Sequence, residues 1–166
     1  IQARIRAVIL MAFANKFGYI LLNTSNKSEA AVGYGTLYGD MAGGLSVIGD
    51  VYKSDVYKLA GFINSNLNVI PENIILKAPS AELRPNQLDT DSLPEYRILD
   101  SILYQYIEQQ KPTDEINIEG IDKNIFERVI KMINFNEYKR YQAPPVLRIS
   151  SKAFGDGRKM PLVAKY

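Results

Sequence analysis

Apolar residues recur at helical spacing from the first position of the chain. Ile1, Ile5, Val8, Ile9, Ala12 and Phe13 keep one stripe and predict an amphipathic helix over 2–17. Gly18 stands where a left-handed cap ends such a helix. The run Tyr19-Ile20-Leu21-Leu22-Asn23 has no polar alternation, so it predicts a strand buried on both faces, as in a parallel sheet. A polar loop over 24–44, with a helical turn or more after Ser28, leads to a second short strand at Leu45-Ser46-Val47-Ile48. The helical period returns over 53–64, where Val56, Leu59, Ala60 and Ile63 share a face. Segment 65–77 reads as a brief helix or an extended piece. Residues 78–94 show no period and hold three prolines, two aspartates and several hydroxyls, which predicts a long functional loop. Two strong helices follow, over 95–109 (Ile98, Leu99, Ile102, Leu103, Ile107) and 122–133 (Ile125, Val129, Met132, Ile133). A short turn at 136–141 precedes Pro144-Pro145, and 146–166 reads as extended and basic. This order predicts an α/β fold on a parallel sheet with a mostly helical C-terminal half.

Composition narrows the chemistry. The sequence has 166 residues, enough for one domain with a core. It contains neither cysteine nor histidine, which excludes disulfides, thiolate nucleophiles, the usual zinc sites and any His-based triad. No apolar run approaches the ~20 residues that span a bilayer, and no signal pattern opens the chain. The expected location is cytoplasmic. The chain begins inside a helical pattern without an initiator methionine, the expectation for a piece of a larger protein. Net charge is only +2, but residues 128–166 carry nine Lys/Arg against two Asp/Glu. Such a tail is a solvated face or a phosphate contact; no nucleic-acid-binding module accompanies it.

The segment after the first predicted strand carries the densest chemistry. Thr24, Ser25 and Ser28 offer hydroxyls, Lys27 a cation, and Glu29 is the first carboxylate of the chain. Ligands of open α/β sheets lie at such strand ends. Glu29 is either a helix-start carboxylate favoured by the dipole or a ligand for a hard cation such as Mg²⁺. Gly33, Gly35 and Gly39, followed by Asp40, suit a loop that approaches a ligand closely. Lys53 opens a helix, where lysine and helix amides together hold phosphate, or where a lysine is simply solvated. Ser80 opens the long loop as a ligand or as a turn residue. Glu137-Tyr138-Lys139-Arg140 is an anion clamp or a solvated helix end.

In order and spacing these blocks resemble the synthetase domain of the NAD synthetase family, in its glutamine-dependent bacterial form. The blocks are Gln2-Ala3-Arg4-Ile5-Arg6, Asn23-Thr24-Ser25-Asn26-Lys27-Ser28-Glu29, Gly33 through Gly44, Asp50-Val51-Tyr52-Lys53, Pro79-Ser80-Ala81-Glu82-Leu83, Glu137-Tyr138-Lys139-Arg140 and Ser151-Lys152-Ala153-Phe154-Gly155. The resemblance implies a parallel-sheet ATP-pyrophosphatase (adenine nucleotide alpha hydrolase-like) domain, of which 1–166 is the C-terminal part. It implies ATP-dependent amidation of deamido-NAD through an adenylated intermediate, with Mg²⁺, and with ammonia drawn from glutamine by a further domain. By position, Arg4, Glu29, Asp40 and Lys139 would bind deamido-NAD. Thr24, Lys53 and Ser80 would bind ATP, and Glu29 and Ser80 the metal. Leu37 and Gly44 stand where ammonia-dependent members carry a lysine and an aspartate, so those two contacts are not expected here. The family's phosphate loop and its Cys-containing glutaminase domain are not in this sequence. A homodimer or larger homo-oligomer is also implied, without nucleic acid or membrane. The alternatives are another ATP-pyrophosphatase amidotransferase of the GMP synthetase kind, or a nucleotide-binding assembly module without turnover.

Overall fold

Helix α1 spans Gln2–Phe17 and stops at Gly18, whose φ of 69° returns its amide to the Ala14 carbonyl. The structure is a computed structural model that describes residues 1–163, so positions 164–166 of the predicted extended tail lie outside it. The helix is where the periodicity predicts, but it buries a different side. Ala3, Ala7 and Ala14 are buried, whereas Ile5, Val8, Ile9 and Phe13 are each more than half exposed. The small side chains decide this. They let the helix lie against the glycine loop, where a Cβ added at Gly39 would come within 3.0 Å of the Ala3 Cβ.

The first strand is likewise shorter than its apolar run. Strand β1 is Leu22–Asn23, and it pairs in parallel with β2, Leu45–Ser46, in the register Leu22 to Leu45 and Asn23 to Ser46. Val146 extends the sheet by a parallel bridge to Ser46. Tyr19, Ile20 and Leu22 are exposed, because only one edge of β1 is paired among the described residues. The buried member is polar. Asn23 donates from Nδ2 to the Asp40 and Ala42 carbonyls at 2.8 and 3.3 Å, and its Oδ1 accepts from the Ser25 amide and the Ser46 hydroxyl. A fully paired amide can be buried at little cost, and this one ties the loop after Gly33 to both strands.

The core lies among helices. Helix α2 (Lys27–Val32) packs against α3 (Lys53–Leu67), α5 (Tyr96–Leu103) and α6 (Lys123–Phe135); α7 (Glu137–Arg140) packs on α6, and α4 (Glu72–Leu76) lies outside this cluster. Ala31, Val32, Leu99, Ile102, Leu103, Ile107, Val129 and Ile133 form its apolar centre. The stripes read from 95–109 and 122–133 supply six of these residues, so the two strong helices bury the face that their period predicts. The first does not stay α-helical: Tyr104–Glu108 is a π turn. Ile107 remains buried across it, and Glu108 reaches Lys27. In α3 no residue is buried, and Leu59 and Ile63 remain open to solvent. The long loop 78–94 contains one 3-10 turn, Asp89–Asp91, and its two ends are joined by the Asp89 amide and the Pro79 carbonyl at 3.0 Å.

Lys27 is completely buried. Its Nζ lies 2.9 Å from Asp50 Oδ1, 2.8 Å from Glu108 Oε1 and 2.7 Å from Ser150 Oγ, and 4.9 Å from the centroid of the Tyr52 ring. Asp50 also accepts from the Ile149 and Ser150 amides at 2.8 and 2.7 Å. One ammonium thus joins α2, the approach to α3, the π turn and the basic tail.

Candidate active site

The loop after β1 turns directly into α2, and its chemistry follows from the cap. Asn26, not Ser25 or Ser28, caps the helix: its Oδ1 accepts from the Glu29 amide at 3.0 Å, while Glu29 Oε2 accepts from the Asn26 amide at 3.4 Å. This is a capping box with asparagine in the serine position. Glu29 is therefore the helix-start carboxylate that the sequence allows. One oxygen completes the cap, and the other, Oε1, lies 3.5 Å from Lys53 Nζ. Burial raises the Glu29 carboxyl above its ordinary value of 4.5, against the lowering effect of Lys53 and the Asn26 hydrogen bonds; the nearby Asp89 carboxylate adds to the rise. A carboxylate held this way gains from any further cation that reaches it.

Helix α2 ends at Gly33, with φ 68°. The Gly33 carbonyl accepts from Lys139 Nζ at 2.6 Å, and the Gly35 carbonyl accepts from the same ammonium at 2.9 Å. Burial lowers the Lys139 ammonium below its ordinary value, with Asp40 opposing. A Cβ at Gly33 would fall 2.2 Å from Asn136 Cγ, while Asn136 itself donates to the Val32 and Met132 carbonyls. Gly33→Ala meets both a left-handed backbone and this clash. It is expected to cost at least about 1–2 kcal/mol, read as a fall in the urea midpoint at unchanged slope. A wild-type midpoint would show that Asn136 can move away freely.

Glu29, Asp40, Lys53, Ser80 and Lys139, drawn from five separate segments, line one cavity of about 400 Å³. Asp40 holds the Thr36 amide with both oxygens at 3.1 Å, and Ser80 Oγ accepts from the Glu82 amide at 3.0 Å. Arg4 and Thr24 are not part of the lining. Arg4 is exposed and donates to the Leu37 carbonyl at 3.1 Å, and Thr24 is exposed beside the sheet. Arg6 lines the cavity instead. Residues two apart on a helix point in opposed directions, so only one of the pair can face a given site. That much is visible in the sequence; which arginine faces in is set by the docking of the alanine side of α1.

Tyr34 and Asp89 also line the cavity; they lie in the glycine block and the long loop that the sequence singles out, but nothing there marks them as site residues. Asp89 is buried and accepts from the Tyr96 hydroxyl at 2.7 Å, while its other oxygen and the Tyr34 hydroxyl have no partner among the described residues. Burial, and then the Asp89 carboxylate, push the Tyr34 phenol up to about 12, so it stays a neutral hydroxyl near neutral pH. A second cavity of about 500 Å³ shares the Glu29–Gly35 wall and is closed by the tail, including Arg140, Phe154 and Arg158.

A parallel strand pair with helices around it, and a following loop that opens on a cavity lined by a carboxylate, hydroxyls and two lysines, is consistent with part of an α/β domain of the ATP-pyrophosphatase kind. The family model for NAD synthase matches residues 1–143. The chain belongs to the NAD synthase family. It is 56% identical over 166 residues to the glutamine-dependent NAD(+) synthetase of Aquifex aeolicus, covering all of this chain and 29% of that protein. Among solved structures, the NMN synthetase of Francisella tularensis is 30% identical with a TM-score of 0.67, over 84% of this chain and 51% of the other. The NH3-dependent NAD synthetase of Campylobacter jejuni is 29% identical with a TM-score of 0.62, over 88% and 52%. The chain thus spans about three-tenths of the length of the Aquifex relative. No described helix is long and apolar enough to cross a membrane.

Proposed function

We propose that this chain supplies one wall of the amidating site in a glutamine-dependent NAD synthetase. Residues 1–166 form the C-terminal part of the synthetase domain, and other parts of the protein provide the phosphate loop and the glutaminase. The reaction joins deamido-NAD to ammonia at the expense of ATP. A nicotinate carboxylate oxygen attacks the α-phosphorus, and pyrophosphate leaves. Ammonia then attacks the acyl carbon, loses a proton, and AMP leaves. Adenylation is needed because a free carboxylate is a poor acyl donor.

The observation that carries this reading is the meeting of Glu29, Asp40, Lys53, Ser80 and Lys139 around one cavity. Lys53, Lys139 and Arg6 offer cations to phosphate oxygens, which favours pyrophosphate departure by charge stabilisation. Asp40 and Ser80 offer acceptors and a hydroxyl for the dinucleotide and ATP, and Arg4 and Thr24 contribute from the margin once the substrates extend beyond the cavity. The donor set fits Mg²⁺ in part: Glu29 Oε1 and the Ser80 hydroxyl are hard oxygen ligands, and this ion takes its remaining ligands from phosphates and water. When bound it would neutralise phosphate charge. The uncovered apolar stripe of α1 supports further protein against it, consistent with a homodimer or larger homo-oligomer, and the expected compartment is the cytoplasm.

Two incubations test the proposal, each with deamido-NAD, ATP, Mg²⁺ and ammonia. The longer protein carrying this segment should form NAD, AMP and pyrophosphate, and the 166-residue chain alone should form none. Robust turnover by the chain alone would sink the one-wall reading. The NMN synthetase likeness supports a second reading, in which the acceptor is a mononucleotide. Faster amidation of nicotinate mononucleotide than of deamido-NAD would select it.

A further inference from the structure

Helix α3 has no cap of its own. Tyr52 precedes it and makes no side-chain cap bond; its carbonyl accepts from the Asp55 amide at 2.9 Å, which leaves the Lys53 and Ser54 amides without local partners. Side chains from two other helices supply them. The Lys53 amide donates to Ser28 Oγ at 2.9 Å, and the Ser54 amide to Asp100 Oδ2 at 2.9 Å. The Ser54 hydroxyl donates to the same Asp100 oxygen at 2.6 Å, and the Ser28 hydroxyl donates to Asp100 Oδ1. A single carboxylate on α5 therefore closes a ring through α2 and the start of α3. It is buried, and so is Ser28.

This arrangement has two consequences for the cavity. First, the amide end of α3 is already occupied by an anion, so it is not open to phosphate; only the Lys53 ammonium is offered. Second, the Lys53 backbone is fixed to Ser28, the immediate neighbour of Glu29. From there the ammonium reaches Glu29 at 3.5 Å and lies 5.5 Å from the Tyr96 ring centroid. Asp100 itself is not in the cavity lining. Burial raises its carboxyl above the ordinary range while the Ser28 and Ser54 hydrogen bonds oppose the rise. A buried acid kept in place by three hydrogen bonds is costly for packing alone, where an apolar side chain would serve.

We propose that Asp100 is a positioning residue: by capping helix α3 through Ser54 and holding Ser28, it sets Lys53 against Glu29 so that the two act as one unit. The proposal rests on the cavity being the ATP and dinucleotide site. The test is a double-mutant cycle on the full-length synthetase that carries this chain, reading kcat/KM for ATP. Asp100→Asn should lose about 30-fold in the wild-type background, yet under about threefold when Lys53→Ala is already present. Equal losses in both backgrounds would overturn the proposal, since a purely structural role does not depend on Lys53. If Asp100→Asn does not fold, Ser54→Ala removes a bond to the same oxygen and should show the same dependence with a loss of about fivefold. If the wild type does not use ATP and deamido-NAD, the function fails but the cap does not. Amide hydrogen exchange then decides it: Asp100→Asn must speed exchange at Ser54, and unchanged exchange there overturns the cap.

Discussion

Lys27→Met is expected to destabilise the protein by about 3–5 kcal/mol, the usual result of removing one partner from a buried ion pair. The methionine fills the space, so the loss is electrostatic rather than a cavity effect. It removes the cation from the Asp50 carboxylate, which keeps its hydrogen bonds but not its charge partner and whose side chain, like that of Lys27, is 0% exposed, and it leaves Glu108 with the Ser151 hydroxyl, at 3.0 Å, among the described residues. Adding Asp50→Asn should recover part of the loss, because the uncompensated charge goes with it. Equilibrium urea unfolding measures both. A change below about 1 kcal/mol for the single variant would mean that water reaches Asp50.

The same carboxylate predicts the acid limb of stability. Burial pushes the Asp50 carboxyl up, but the Ser150 amide, the Lys27 ammonium and the Ile149 amide outweigh it, and the net effect lowers it below 3.8. A lowered folded value means that the stabilisation is complete above 3.8 and disappears as pH falls through the folded value. Glu29 behaves oppositely. Its raised value makes ionisation a cost that appears as pH rises above 4.5. The wild type should therefore lose stability as pH falls below 3.8, and in Lys27→Met this dependence should shrink or reverse, because burial then works against ionised Asp50 without the ammonium to oppose it.

The second large effect is on turnover. Glu29→Gln keeps an oxygen for the Asn26 amide, so the capping box survives, and it removes the charge opposite Lys53. In the full-length protein kcat is expected to fall about 10²–10³-fold, the range for losing one preorganised charge-stabilising group. Stability should hold or rise slightly, because a buried charge has gone. Thermal unfolding beside steady-state kinetics separates the two roles of Glu29. Activity within about threefold of wild type would remove it from the proposed site and leave it as a cap residue.

Much of this was legible in the residues. The stripes over 95–109 and 122–133 located the core helices because their large apolar residues are buried within this chain. The blocks around Glu29, Lys53, Ser80 and Lys139 were each ambiguous alone; their order and spacing, through the family resemblance, implied a shared site. Where the pattern misled, an apolar residue had no layer to meet. The stripe of α1 and the run 19–22 are hydrophobic, yet they face solvent here.

The sequence by itself determined the core helices and the parallel α/β class through local period, and the family through residue types at fixed spacing; that resemblance also named Glu29, Asp40, Lys53, Ser80 and Lys139, which line the cavity. Only the tertiary structure decided which face each element buries, that Arg6 rather than Arg4 lines the cavity, that Tyr34 and Asp89 join it, and that Asp100 caps a helix 46 residues earlier in the chain. Those depend on contacts between distant segments. A hydrogen bond between Asp100 and Ser54 leaves no periodicity in either stretch, and a carboxylate buried for that purpose looks, in sequence, like any solvated one.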